Sequence, residues 1–381
     1  MKTKKTVAVI FGGQSSEHEV SRLSAQSVIE NIDTDKYNVI MIGITKDGKW
    51  LRYEGPAEHI GTGEWQDIAE KQMLESFEKN NIKDKKKDSL NGTQNTIKNM
   101  LFNLSHNCSV NESIDVVFPV LHGCNGEDGT IQGLFELAGI PYVGPGVLAS
   151  SLGMDKAYSK IIFEKAGIPQ GKYLVFSRKQ IKEYNDSIAK QVEEVLGYPC
   201  FVKPSNAGSS VGVSKVSGRS ELASALELAA RYDRKILVEE FINGREIECA
   251  VLGNDEPEAS TAGEIVPCNE FYDYNAKYEQ GDNSRIIIPA DLPEDTIKAI
   301  REYAVRAFKA LDCAGLSRVD FFVHKETGKI YINEINTLPG FTCISMYPKL
   351  WEASGLSYGK LIERLIELAE ERYKDNLKSI N

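Results

Sequence analysis

Hydrophobic positions change their period several times along this chain, and the changes mark its elements. TVAVIFGG opens as an unbroken apolar run, which predicts a buried strand, a Gly-Gly turn and a serine-capped helix through QSSEHEVSRLSAQSVIENI. That is the start of a βαβ unit. NVIMIGITKDGKWL predicts a second strand with a hairpin turn at Asp47-Gly48, and IDVVFPVLHGCNGEDGTIQGLFELAGIPYVG reads as strand, loop, helix from near Thr130, and strand. Farther on, FVK and VGVSKV are short strands joined by the loop PSNAGSS, and KILVEE runs through an Asn243-Gly244 turn into another strand. Apolar residues take helical spacing at Ile297, Ile300, Ala304, Ala307 and Leu311, and LSYGKLIERLIELAEERY repeats that pattern. Residues 79–100 show no apolar period, which predicts a polar surface excursion without catalytic content.

The alternation richest in chemistry lies between Leu316 and Gly340, in LSRVDFFVHKETGKIYINEINTLPG. Two β-rich runs flank ETG, where Gly328 supplies the positive φ of a three-residue hairpin loop. With Lys325 opposite Lys329, Asp320 faces Glu334 and Arg318 faces Asn336. Period-two alternation puts those four on one face and Phe321, Val323 and Ile335 on the other. Facing carboxylates repel unless a cation lies between them. Oxygen donors beside an amide suit Mg²⁺, whose shell is commonly completed by phosphate oxygens. Two readings stand at this point: a Mg²⁺–nucleotide site, or a solvated polar face backing a core face.

Composition narrows the classes. A chain of 381 residues can hold two or three domains, and 41% hydrophobic with 26% charged residues is ordinary for a soluble globular protein. A net charge of −10 argues against nucleic acid as the main partner. Seven scattered cysteines without a Cys-x-x-Cys pair suit neither a disulfide framework nor a zinc knuckle. The apolar run in MKTKKTVAVIFGG is too short for a signal peptide, and none approaches the ~18 residues of a membrane span. A protein of the reducing cytoplasm, without a membrane partner, is expected.

Several further residues each admit a chemical and a plain reading. Glu17 and Glu19 lie where the first helix begins, and either complement its dipole or face a ligand amine in the crevice at the strand ends. His122 follows a strand in a loop with Gly123, Gly126 and Gly129, either as a hydrogen-bonded structural residue or as a site residue. Lys156 opens a helical segment, where a lysine is ordinarily solvent-exposed. The loop after Lys203 can cover a phosphate with backbone N–H groups and hydroxyls, or be an ordinary hairpin. It is not a Walker A loop, because the lysine precedes the glycines and no helix follows. EFYDYNAKYEQGDNSRIIIPADL reads as a long aromatic loop, functional or anchored on the core.

A Gly-Ser lid after Lys203, an acidic hairpin and an interlobe linker behind an N-terminal βα domain together resemble the ATP-grasp superfamily. HGCNGEDGTIQG, VKPSNAGSSVGVSKV, FYDYNAKY, RVDFF and NEINTLPGFT resemble, in order, the signatures of the D-alanine–D-alanine ligases, from Val7 to about Arg364. The resemblance implies an α/β chain: a Rossmann-like parallel-sheet domain over 1–144, then two α+β ATP-grasp lobes. The small lobe with its lid would span 145–243, and the lobe with the metal site and aromatic loop 244–381. It implies a cytoplasmic, homodimeric enzyme that joins two D-alanines through an acyl phosphate for peptidoglycan precursors. ATP and two Mg²⁺ ions would serve it, with Mn²⁺ able to substitute.

By the same resemblance, Asp320, Glu334 and Asn336 hold metal. Lys156 and Lys203 contact ATP phosphates, Ser210 joins the ATP site, and Lys277 reaches the γ-phosphate. The backbone of Glu239, Glu240, Phe241 and Ile242 meets adenine, and Glu246 the ribose. Glu17 receives the first D-alanine's ammonium with His122 nearby, and Ser209 and Tyr278 join Glu17 in a contact tying lid and loop to the first domain. Arg318 and the Gly340 N–H stabilise the oxyanion, Ser345 meets the second carboxylate, and Met346 packs beside it.

The sequence departs from the family at Ala207, where some members carry an acid, and at Cys343, where serine is common. The insert at 79–100 has no counterpart. One competing reading changes the second substrate to D-serine, or with less support D-lactate, as in vancomycin-resistance ligases; the intact Tyr278 resembles the D-alanine type. Another is a silent nucleotide-binding protein, against which the quartet Arg318, Asp320, Glu334 and Asn336 counts.

Overall fold

Side chains of β1 (Lys5–Gly12) divide between two cores. Val7, Val9 and Phe11 pack with Ala25 and Val28 of the helix His18–Asn31 and with Leu361 and Leu365 of the helix Tyr358–Lys378. Ala8 and Ile10 pack instead with Phe135 and Ile140. Burial on both faces is why that run is apolar throughout. With β2 (Tyr37–Ile44), β3 (Trp50–Tyr53) and β4 (Val116–Val120) it forms a sheet in the order β3-β2-β1-β4. The strands β2, β1 and β4 run parallel, and β3 is an antiparallel edge. The Asp47-Gly48 turn joins β2 to β3, closed by the Gly48 N–H on the Thr45 carbonyl at 3.0 Å. One expectation fails here: no serine caps the first helix. Glu17 occupies the cap without a side-chain cap bond, and Ser15 Oγ accepts the Glu17 N–H at 3.1 Å.

The computed structural model describes residues 4–80, 114–183, 186–208, 211–266 and 285–378. The aromatic loop with Lys277 and Tyr278, the lid serines Ser209 and Ser210, and the polar excursion beyond Asn80 lie outside the described residues.

A second, antiparallel sheet is built from β5 (Tyr173–Ser177), β6 (Cys200–Pro204), β7 (Ser214–Val216) and β8 (Lys235–Glu240), in the order β5-β8-β6-β7. Leu222, Leu226 and Ala229 of the helix Arg219–Tyr232 cover it. The third sheet holds β9 (Gly244–Gly253), β10 (Glu258–Val266), β11 (Arg285–Ile287), β12 (Gly315–His324) and β13 (Ile330–Asn336), ordered β11-β10-β9-β12-β13. The Asn243-Gly244 turn makes no hairpin: β8 ends in one sheet and β9 begins in the next, so 241–243 is the crossing between lobes.

Helix Glu294–Ala310 covers the back of the third sheet, with Ile300, Ala304 and Ala307 buried against Val319, Phe321 and Val323. Ala149 and Phe163, from the helices Val147–Met154 and Lys156–Lys165, join that core. The opposite side of β12 and β13 carries Arg318, Asp320, Glu334 and Asn336, with Phe322 beside them. No helix among the described residues is long and apolar enough to cross a membrane.

Candidate active site

Register on β12 and β13 decides what the polar face can do. Arg318 pairs with Asn336 and Asp320 with Glu334, as the alternation predicts. Toward the turn the register slips by one, so that Phe321 pairs with Ile332 and Val323 with Ile330. The loop is therefore one residue longer than a three-residue turn, and a bulge between Asp320 and Phe321 restores the pairing where the carboxylates stand. On the other flank Asp320 pairs with Glu248 of β9, which puts three carboxylates in a row across three strands.

Such a row needs cations, and the chain provides them. Arg318 grips Asp320 through Nε and Nη2, each at 2.7 Å, and its Nε lies 2.9 Å from Glu248. Burial works against the charge of Arg318, but Asp320 and Glu248 outweigh it and hold its pKa well above the usual guanidinium range. Lys156 lies 3.2 Å from Glu334, and its Nζ donates to the Ala207 carbonyl at 2.8 Å. It is not the exposed lysine its helical setting suggested; the lid's main chain and the acidic hairpin enclose it. The Asn336 amide donates to Asp320 Oδ2 at 2.9 Å.

These groups line a cavity of about 820 Å³ between the second and third sheets, within the range of small-molecule sites. Glu239, Glu240, Phe241, Ile242 and Glu246 line it along the lobe crossing. The Glu239 side chain is inside too, bridging two buried lysines: Lys160 Nζ at 2.6 Å on one oxygen and Lys203 Nζ on the other. Burial would raise the Glu239 pKa, but the two ammoniums prevail and hold it at about 2. Burial likewise opposes the charge on Lys203, yet Glu239 and Glu334 raise its pKa; on Lys160 burial wins, and its pKa is lowered.

At the other end of the cavity Glu17 lies close under the lid. A Cβ on Gly208 would stand 2.9 Å from a Glu17 carboxylate oxygen, and one on Gly123 would stand 2.7 Å away. His122 is buried beside it, with Nδ1 3.0 Å from the Leu338 carbonyl and Nε2 3.2 Å from Ser24 Oγ. Glu127 lies 3.5 Å from the ring. Burial works to lower the His122 pKa, but Glu127 and Glu17 prevail and raise it; burial raises that of Glu127.

The loop 338–341 is fastened at three points: His122 on Leu338, the Phe341 N–H on Ser24 Oγ at 3.2 Å, and the Tyr358 hydroxyl on the Phe341 carbonyl. This holds Gly340 at the cavity wall, where a Cβ would stand 3.1 Å from Ser345 Oγ. Ser345 Oγ also accepts the Thr342 N–H at 3.0 Å. Met346, next to Ser345, is buried in the core, and neither residue is part of the cavity lining.

Lys160, Glu248 and Glu127 were not singled out as site residues from the sequence. Lys160 lies four residues after Lys156 and so shares its helix face, and Glu248 shares the strand face of Glu246 by period two. Those spacings were the available signal.

Among the described residues no three His, Cys, Asp or Glu side chains are arranged to hold a metal by themselves. The donor set nevertheless fits a divalent ion of the Mg²⁺ kind, which is usually held by one or two carboxylates plus substrate phosphates rather than by an all-protein cage. Asp320 and Glu334 supply the carboxylates, directly opposed and facing the cavity, with the Asn336 amide next in line.

An antiparallel two-lobed core with a lysine-lined cleft and an acidic floor, behind a parallel-sheet domain, defines an ATP-grasp enzyme, a class of ATP-dependent ligases. Comparison with known proteins makes the assignment particular. Residues 6–145 match the family model for the D-ala D-ala ligase N-terminus, and 162–367 that for the C-terminus. The D-alanine–D-alanine ligase of Ruminiclostridium cellulolyticum is 67% identical over 98% of this chain and 97% of its own length. That of Acetivibrio thermocellus is 66% identical over 99% of each. Among solved structures, the VanG D-Ala:D-Ser ligase from Enterococcus faecalis superposes with a TM-score of 0.81 at 41% identity, covering 96% of this chain and all of that one. The D-alanine–D-alanine ligase from Coxiella burnetii gives 0.80 at 35%, covering 99% and 97%. The chain belongs to the D-alanine–D-alanine ligase family, whose members are ATP-dependent and use a divalent metal.

Proposed function

We infer that this protein ligates two D-alanines at the expense of ATP. The observation that carries the reading is the convergence in one cavity of opposed carboxylates (Asp320 and Glu334), two lysines (Lys156 and Lys203) and Arg318. A divalent metal, when bound, would offset phosphate charge at that acidic floor; we propose two such ions, held by Asp320, Glu334 and Asn336, with Mn²⁺ an acceptable substitute.

In the proposed reaction a carboxylate oxygen of the first D-alanine attacks the γ-phosphorus of ATP, and ADP leaves with the electron pair of the broken P–O bond. The amino nitrogen of the second D-alanine, as the free amine, attacks the acyl carbon. The tetrahedral centre expels phosphate, and the nitrogen loses a proton. Little covalent work falls to the protein, so positioning and charge dominate. Glu17 takes the first ammonium, with His122 beside it. Arg318 and the Gly340 N–H face the developing oxyanion, and the fastening of the 338–341 loop keeps that donor in place. Ser345 receives the second carboxylate. Lys277, Ser209, Ser210 and Tyr278 are proposed to complete lid and loop in the roles the family resemblance implies, and Glu239–Ile242 with Glu246 to meet the nucleoside.

We further propose the units 1–144, 145–243 and 244–381, with the helices of 147–165 tying the second to the third by packing in its core. A cytoplasmic homodimer serving peptidoglycan precursor synthesis is the setting this chemistry fits.

The close structural match to a D-Ala:D-Ser ligase raises a second reading, but relatives at 67% and 66% identity carry the D-alanine–D-alanine name. Phosphate release from Mg-ATP with D-alanine alone, and then with D-serine or D-lactate added, tests the two, with products identified by mass. D-alanyl-D-alanine from D-alanine alone is expected. Turnover only on adding D-serine would move the assignment to the other branch.

A further inference from the structure

Lys160 has no place in the reaction as described, yet it is among the largest fully buried side chains of the molecule. It lies 2% exposed, with its ammonium 2.6 Å from Glu239 Oε1 and 5.7 Å from the centre of the Tyr173 ring. Lys203 takes the other oxygen of the same carboxylate. Two ammoniums thus share one anion, and the three groups carry one positive charge in excess. The next carboxylate, Glu334, is engaged by Lys156 at 3.2 Å. A buried carboxylate facing Lys203 alone would neutralise it, because a close pair in a poorly solvated site interacts far more strongly than in water.

We propose that Lys160 is a positioning residue for the nucleotide: by occupying one oxygen of Glu239 it leaves Lys203 with positive charge to offer an ATP phosphate. The inference rests on the ATP-ligase reading above and deepens it. It makes a prediction about sign that a purely structural ion pair does not. Removing Lys160 should let Glu239 capture Lys203 and weaken nucleotide binding. Removing the Glu239 charge in that background should then release Lys203 and recover affinity.

Calorimetric titration with ADP and with a non-hydrolysable ATP analogue, both with Mg²⁺, tests this on the full-length protein. Lys160→Met should raise Kd about tenfold, equivalent to about 1.4 kcal/mol. Lys160→Met combined with Glu239→Gln should bind more tightly than Lys160→Met alone. An unchanged Kd for Lys160→Met, as a neutral Lys160 would give, or a double variant no tighter than the single, would overturn the proposal. Lys203→Met separates the two levels. If it weakens binding while Lys160→Met does not, only the role of Lys160 falls; if neither variant matters, the phosphate assignment of Lys203 falls with it. Circular dichroism verifies folding, and Lys160→Gln replaces the methionine variant under the same criteria if that one does not fold.

Discussion

Asp320 and Glu334 face each other across β12 and β13, and each carboxylate already has its own cation, Arg318 for the first and Lys156 for the second. The repulsion expected of opposed acids is thereby relieved before any metal arrives, and the face can stay polar without unfolding the hairpin. Glu334→Gln keeps the shape and removes one charge. Its side chain is 25% exposed, so the melting temperature should change little, while phosphate release should fall on the order of 10²–10³-fold. Near-normal turnover would refute the metal assignment.

Arg318→Lys keeps the charge but loses the planar fork that holds Asp320 at two points and Glu248 at a third. Turnover should drop roughly 10²-fold or more, as for loss of an oxyanion donor, with the protein still folded. Arg318→Met leaves buried carboxylates without their cation, and should cost about 3–5 kcal/mol in denaturant unfolding. An equal effect of both variants on stability would contradict this division.

Acid should find the Glu239 bridge. The folded-state pKa of Glu239 is held at about 2, below its ordinary 4.5, by Lys160 and Lys203 against the effect of burial. A depressed carboxylate pKa stabilises the fold above the unfolded value, and the contribution is lost as pH falls through 4.5 toward 2. The difference in melting temperature between the wild type and Glu239→Gln should therefore be steady above about pH 5 and shrink below it. A gap independent of pH over that window would argue against the bridge.

Gly43 tests the packing of the first sheet. A Cβ there would stand 2.1 Å from the ring of Trp65, which is 1% exposed and meets Phe11 edge-on at 5.0 Å. Gly43→Ala should lower stability by roughly 1–3 kcal/mol through overpacking, while ligase activity at low temperature survives. An unaltered melting curve would mean that the Trp65 ring can move aside.

Local patterns foretold β1, β2, β4, β6, β8, β9, β12, β13 and several helices, because period and turn chemistry are written in neighbouring residues; β5, β10 and β11 were not read, and the strand expected in IPYVG is a single bridge between Val117 and Tyr142. The register at Asp320 was legible although the turn was not: the loop takes one extra residue, Lys325, from the β12 side, the bulge leaves one, Asn333, unpaired on the β13 side, and the two shifts cancel. What sequence could not supply was tertiary. That KILVEE and REIECAVLG lie in different sheets is set by their partners, β5 and β6 for the first and β10 and β12 for the second, and not by the turn between them. Lys160 and Glu248 went unremarked because a charged residue within an apolar element is ordinarily a solvated one. Their partners, Glu239 and Arg318, lie 79 and 70 positions away.

The central claim is that the Asp320–Glu334 face carries divalent metal against the phosphates of ATP. Crystals grown with Mn²⁺ and a non-hydrolysable ATP analogue test it most directly, through the anomalous signal of manganese. The account predicts anomalous peaks between the analogue's phosphates and the side-chain oxygens of Asp320, Glu334 and Asn336, with Lys203 on a phosphate oxygen. Phosphates bound elsewhere, or manganese peaks away from those three side chains, would contradict it.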